Sequence, residues 1–234
     1  VTIDDVFLGL YSCGDVWTPF LNSLHSEFRQ AFGQPPLLPL FISGYSVLEA
    51  NRLMAEWFLD SRKPLLFHCD TDTELRPGTL QAMIQALEQG ADVVTVHSPN
   101  RKGTKYRGMF QRGDNHKQDS NGKLIYFAQA VMLANRRVYE LLPAPWYMPN
   151  VEIRGVGSDE TGEIYFAHSV LSHPDLMHVS LDDSAMTARQ WEVARLIRSH
   201  LIQEPEEQPR VWGSHLFRTY DETGQGLTEY RWPA

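Results

Sequence analysis

Asp70 and Asp72, one residue apart, close a short apolar run, Leu65-Leu66-Phe67-His68-Cys69, and have the spacing in this chain best suited to chemistry. Two carboxylates at i and i+2 on a turn can converge on one hard cation. Mg²⁺ or Mn²⁺ is typically held by one or two such groups together with substrate phosphates. A plainer use is also open: Asp72 or Thr73 can cap the helix that follows Pro77, while Asp70 makes a turn. A second acidic stretch, Ser158-Asp159-Glu160-Thr161-Gly162-Glu163, lies on a glycine-bearing loop, where Glu163 can also favour a helix N-terminus. A basic stretch, Arg101-Lys102-Gly103-Thr104-Lys105-Tyr106-Arg107, interleaves cations with an aromatic ring. That mixture suits phosphates and stacked bases, and equally a solvated loop.

These residues need a scaffold, and the hydrophobic period supplies one. Val6 to Tyr11 reads as a buried strand, and Phe20, Leu21, Leu24 and Phe28 follow at helical spacing. Leu38 to Ile42 makes a second strand, before a helix carrying Leu48, Leu53, Met54, Trp57 and Phe58. The Leu65 run is the third strand, with Leu80, Met83, Ile84 and Leu87 on its helix, and Ala91 to Val96 is the fourth. Consecutive strand–helix units predict right-handed crossovers and a largely parallel α/β sheet, which binds ligands at the carboxyl ends of its strands.

Beyond Ser98 the pattern changes. Residues 99–122 are expected to form a loop or irregular hairpin, and Leu124 to Leu133 to return as one strand. A short helix follows near Tyr139, then prolines around Trp146-Tyr147, a helix from about Glu163 to Ser172, and a strand at His178 to Leu181. Trp191 to Ile197 suggests a last helix, and the polar segment after Gln203 is expected to anchor through Trp212, Phe217 and Trp232 on the body or on a partner.

With 234 residues, 42% hydrophobic and 21% charged, the chain has the makings of a soluble globular protein with a sizeable core. No run approaches the roughly 20 apolar residues that span a bilayer. The start, Val1-Thr2-Ile3-Asp4-Asp5, lacks the pattern of a secretion signal, and Cys13 and Cys69 read as buried thiols. A cytoplasmic protein is the expectation. The net charge of −8 argues against tight nonspecific nucleic-acid binding, though not against a local basic patch. His68 and His97 read as satisfied core or rim residues, and His168, His173 and His178 lack the regular spacing of ligands.

The order of strand, loop, helix with Ala50-Asn51-Arg52, strand, Asp70-Thr71-Asp72, helix and strand, with an acidic motif before Tyr165-Phe166, resembles the GT-A glycosyltransferases. The likeness covers roughly residues 4–183 and is strongest to the small family 2-like members and the viral enzymes that glycosylate modified DNA bases. It implies a GT-A fold: a Rossmann-like, mostly parallel central sheet flanked by helices, with an irregular acceptor-side region. It also implies one catalytic domain over 1–202, with a nucleotide-sugar-binding half (1–98), an acceptor-side half (99–202) and a tail (203–234). The implied donor is a nucleotide sugar, a UDP-sugar first, with Mn²⁺ or Mg²⁺ on Asp72 and Asp70. Tyr11 and Ser12 would cradle the nucleoside, and Asn51, Arg52 and Arg189 would meet the diphosphate.

Aligning on Phe166 sets Glu163 where an inverting member keeps its base aspartate, with Asp159 the next choice. The acceptor would lie against Lys102, Lys105, Arg107 and Trp146, and modified DNA, a glycan or a small molecule would serve, in a monomer or an oligomer of viral origin. The chain departs from the pattern in three places. Glu replaces the base Asp, Asn51-Arg52 inverts the usual Arg-Asn order, and no histidine occurs in Asp182 to Arg189. A degenerate nucleotide-sugar-binding module therefore stays open. So does a sugar nucleotidyltransferase, although Ser12-Cys13-Gly14-Asp15 lacks the glycine-rich basic loop of that class.

Overall fold

The computed structural model describes residues 1–12, 16, 18–36, 39–71, 73–75, 77–96, 116–118, 124–181, 213–215, 218–220 and 226–229. For 19, 74, 116–118 and the three last segments it gives the backbone alone. The expectations that fall on Asp72, Lys102, Lys105, Arg107 and Arg189 among the site residues, and on Cys13, His97, the rest of the basic segment, the Trp191 helix and the anchors Trp212, Phe217 and Trp232, lie outside the described residues.

In chain order the elements are β1 (Val6–Ser12), α1 (Thr18–Phe32), β2 (Leu40–Ser43), α2 (Val47–Ser61), β3 (Leu65–Asp70), β4 (Thr73–Leu75), α3 (Thr79–Glu88) and β5 (Val93–Thr95). Then come β6 (His116–Gln118), β7 (Leu124–Phe127), β8 (Val131–Asn135), α4 (Arg136–Leu141), α5 (Glu163–Ser172), β9 (His178–Ser180), β10 (Gly213–His215), β11 (Arg218–Tyr220) and β12 (Gly226–Glu229). The central sheet has six strands in the order β2-β1-β3-β8-β5-β9. β1 runs parallel to β2 and β3, and β5 parallel to β9, while β8 is antiparallel to both its neighbours. This is the mostly parallel, helix-flanked α/β architecture that the sequence predicts. Among the described residues no helix is long and apolar enough to cross a membrane.

Strand alternation divides the core in two. Leu65, Phe67 and Cys69 join Leu8, Leu10, Phe20, Leu24, Phe28, Leu80 and Met83 on the face covered by α1 and α3. Leu66 joins Ile42, Met54, Phe58, Met132, Tyr139, Tyr147 and Phe166 on the face covered by α2, α4 and α5. His68 and Asp70, at even steps from Leu66, share this second face. The strand's period thus aims Asp70 toward α2 and α5 rather than toward α1.

Two expectations are corrected. The apolar run from Leu124 to Leu133 is not one strand: β7 pairs with β6 in a separate ladder, and β8 enters the central sheet. Ala128, Gln129 and Ala130 form the break between them, and Asp70 N–H donates to the Ala130 carbonyl at 2.8 Å. The start of α3 takes its acceptor from elsewhere than Thr73, which is buried within β4. Buried Glu27 of α1 accepts from the N–H groups of Gly78 at 2.9 Å and Leu80 at 2.8 Å. Burial raises the Glu27 carboxyl above its ordinary value, and these backbone donors pull it back. Beyond the body, the backbone of β10 adds antiparallel to β4, with Ser214 opposite Glu74 and His215 opposite Thr73.

Candidate functional site

The carboxyl ends of β1 and β3 lie side by side, with Tyr11 opposite Asp70 in register. Thr71 N–H donates to the Tyr11 carbonyl at 3.1 Å, which carries the pairing one residue past the strand and fixes where the acidic turn begins. Tyr11 is buried, and its hydroxyl donates to the carbonyl of exposed Tyr45 at 3.4 Å. Ser12, also buried, sits opposite Ser43 at the edge of the same ladder.

α5 comes to this edge from the other side, and its first residue is Glu163. A glutamate there ordinarily serves the exposed N–H groups of its own helix. Here Asp159 does so: its Oδ1 accepts from Gly162 N–H at 2.6 Å and its Oδ2 from Ile164 N–H at 2.9 Å. Both oxygens of Asp159 are therefore engaged with backbone. The Glu163 carboxyl is left to interact with Asp70, His68 and Asn51.

The backbone leading into α5 is narrowly set. Gly162 has φ 75°, and a Cβ on it would lie 2.8 Å from the Met148 nitrogen and 2.9 Å from the Tyr147 carbonyl carbon. Only glycine meets both conditions without displacing backbone. Gln129 Nε2 donates to the Glu163 carbonyl at 3.1 Å, and the Tyr147 hydroxyl donates to Gln129 Oε1 at 3.1 Å. The Tyr139 hydroxyl lies 3.3 Å from that of Tyr147, and the Tyr147 ring stacks on Phe166 with centroids 4.9 Å apart. Burial holds both phenols well above their ordinary range.

Burial is the first cause that raises the Glu163 carboxyl, from its ordinary 4.5 to about 7, even though the residue keeps partial exposure. The charge of Asp70 raises it next, His68 opposes, Asp159 raises it a little further, and the Asn51 side chain lowers it. Asp70, His68, Asn51 and Glu163 thus share one electrostatic neighbourhood. Glu163 and Asp159 in turn push the half-buried Tyr126 hydroxyl upward, after burial itself.

Two buried polar atoms here lack hydrogen bonds. His68 Nε2 stands 3.5 Å from Asp70 Oδ1, an ion-pair distance without hydrogen-bond geometry, so it has no such partner among the described residues. The expectation of a satisfied His68 is corrected accordingly. Asn51 Nδ2 is near enough to favour the charged Glu163, yet completes no hydrogen bond by geometry, which is the stricter test. A buried N–H left unpaired costs on the order of 1 to 3 kcal/mol, and a ligand with oxygen acceptors removes that cost.

Of the other expected site residues, Arg52 directs Nε and Nη2 to the Tyr147 carbonyl at 3.1 and 2.9 Å. Its guanidinium therefore braces the segment beside Gly162. Trp146 donates its indole N–H to the carbonyls of Tyr139 at 2.9 Å and Leu142 at 3.2 Å, with its ring edge-on to Tyr139. Sequence reasoning passed over Gln129 and Tyr126. The signal for Gln129 was present, as an amide interrupting an otherwise apolar run.

A divalent cation suits the donor chemistry of Asp70, a carboxylate about one-third exposed whose nearest described partner is His68. Among the described residues no three His, Cys, Asp or Glu side chains gather to hold a metal, and Asp72, the expected second carboxylate, lies outside them.

No family model and no curated protein matches this chain. Among solved structures it is similar to A197 from STIV, at 15% identity and TM-score 0.47, over 74% of this chain and 82% of that one. It is also similar to a protein assigned as a glucose-1-phosphate thymidylyltransferase from Bacillus anthracis, solved with sucrose, at 11% identity and TM-score 0.39. That overlap covers 85% of this chain and 97% of the other. A third is 4-diphosphocytidyl-2C-methyl-D-erythritol synthase from Anaerococcus prevotii, at 11% identity and TM-score 0.35, with coverage of 85% and 97%. Likenesses at these values carry no argument about reaction or site.

Proposed function

We propose that this protein is a glycosyltransferase that moves a sugar from a nucleotide-sugar donor to an acceptor hydroxyl, with inversion, and that Glu163 is its base. One observation carries the reading. Asp159 caps α5, and Glu163 is thereby released to the carboxyl edge beside Asp70, with its carboxyl raised to about 7. A base with a pKa near the working pH is well matched to taking a proton from a hydroxyl. In the proposed step the acceptor oxygen bonds to the anomeric carbon as the bond from that carbon to the diphosphate breaks. The acceptor's proton passes to Glu163, and the bonding electrons leave with the nucleoside diphosphate.

Asp70 and Asp72 would hold Mn²⁺ or Mg²⁺, which supplies Lewis-acid stabilisation of the departing diphosphate when bound. Tyr11 and Ser12 border the nucleoside, and Asn51 offers its unpaired Nδ2 to a donor oxygen. Asp159 acts as the positioning residue for the base, and Arg52 braces the segment beside it. Arg189 is kept as a contact for the diphosphate. The acceptor is proposed to meet Lys102, Lys105 and Arg107, with a hydroxymethylated base in DNA as the specific candidate. Such binding weakens steeply with salt, and Lys102→Ala and Arg107→Ala should each shrink the salt slope of DNA affinity by about one.

The test of the reaction is nucleoside diphosphate release from a panel of nucleotide sugars with Mn²⁺. Glu163→Gln should retain donor binding and lose roughly 10²- to 10⁴-fold in turnover, whereas Asp70→Asn should lose both. Donor binding without turnover in the native protein would leave a binding module instead.

A further inference from the structure

The sheet's opposite edge, at the start of β3, holds a concavity away from Asp70. A cavity of about 380 Å³ opens there, lined by Arg62, Gly90, Ala91, Asp92, Arg136 and Arg137 among others. That volume is within the range of small-molecule sites. Three guanidinium groups around one cavity are notable in a chain of net charge −8.

The acid in this cavity is already answered. Asp92 is buried, accepts from Arg137 Nη1 at 3.0 Å through Oδ1, and accepts from Met177 N–H at 2.9 Å through Oδ2. The cations are not all answered. Arg136 gives its Nε to exposed Glu140 at 2.7 Å, while its buried Nη1 finds no partner among the described residues. Arg62 pairs with no acid among the described residues. It occupies the left-handed C-cap of α2 at φ 60°, a position that glycine suits better, so backbone conformation does not account for an arginine there.

We propose that this cavity binds a small phosphate-bearing anion, gripped by Arg62 and Arg136. Guanidinium forks match the paired oxygens of a phosphoryl group, and Arg62 and Arg136 both line the cavity. The site is separate from the candidate reaction edge and does not rest on the proposed reaction.

The test is an amide NMR titration of the full chain with inorganic phosphate and, separately, with glucose 1-phosphate, at constant ionic strength in chloride. Saturable shifts at Gly90, Ala91, Asn135 and Arg136 are expected, and the tighter ligand tells a free anion from a phosphorylated metabolite. Arg62→Gly removes a cation while suiting the positive φ, and Arg136→Gln keeps a donor without the charge. Each should weaken binding at least tenfold with the thermal midpoint little changed. Shifts that stay linear, that occur only around Tyr11 and Asp70, or that saturate equally in both variants would overturn the proposal.

Discussion

Glu163 is held where its charged form is disfavoured, and this has a cost in stability that can be measured apart from any reaction. An acid whose folded pKa lies above its unfolded value binds more protons when folded. Its contribution is therefore complete below about pH 4.5 and is lost as pH rises to about 7. The displacement corresponds to roughly 3 kcal/mol as an upper bound, because the residue is partly exposed. Replacing Glu163 by Gln removes the charge and keeps the shape. Thermal unfolding should show Glu163→Gln more stable than the native protein by roughly 5 °C at pH 8, with the two alike at pH 4.5. Equal midpoints at pH 8 would mean that the carboxyl is well solvated. Such a gain on removing a charged group is the pattern expected where function is placed against stability.

At the scale of elements, the N-terminus of α5 determines the site, and its parts make separable contributions. Asp159→Ala removes acceptors from two backbone N–H groups and should cost about 1 kcal/mol in denaturant unfolding. Gly162→Ala meets both a positive φ and the Tyr147–Met148 backbone, and should cost more than about 1 kcal/mol. If Gly162→Ala were neutral, the close packing of α5 against that segment would be refuted. The elements themselves were readable from sequence where the evidence is local. Leu80, Met83, Ile84 and Leu87 announce α3 by their spacing, and the unbroken Leu65 run announces a strand buried on both faces. The antiparallel entry of β8 was not readable, because a run of apolar residues fixes neither strand direction nor a break at Gln129. Glu27 as the cap of α3 was not readable either, since residues 51 and 53 positions apart meet only after α1 and α3 pack together.

At the scale of the whole molecule, the sheet brings residues from four distant segments to one edge: Tyr11, Asn51, Asp70 and Glu163. Sequence spacing could nominate each of them. It could not say that Asp159 would take the capping role and Glu163 the open one, because that choice depends on how the loop before α5 packs on Tyr147. It also could not show that the fold ties Arg52 to the Tyr147 carbonyl, since the two are 95 positions apart in the chain. The most direct test of the account is the pH dependence of kcat/KM for nucleotide-sugar turnover, native protein against Glu163→Gln. The native profile should rise through an apparent pKa of about 7 to a plateau. The variant should lie far below it and lose that limb. A Glu163→Gln enzyme with the native rate and the native limb would contradict the assignment of Glu163 as the base.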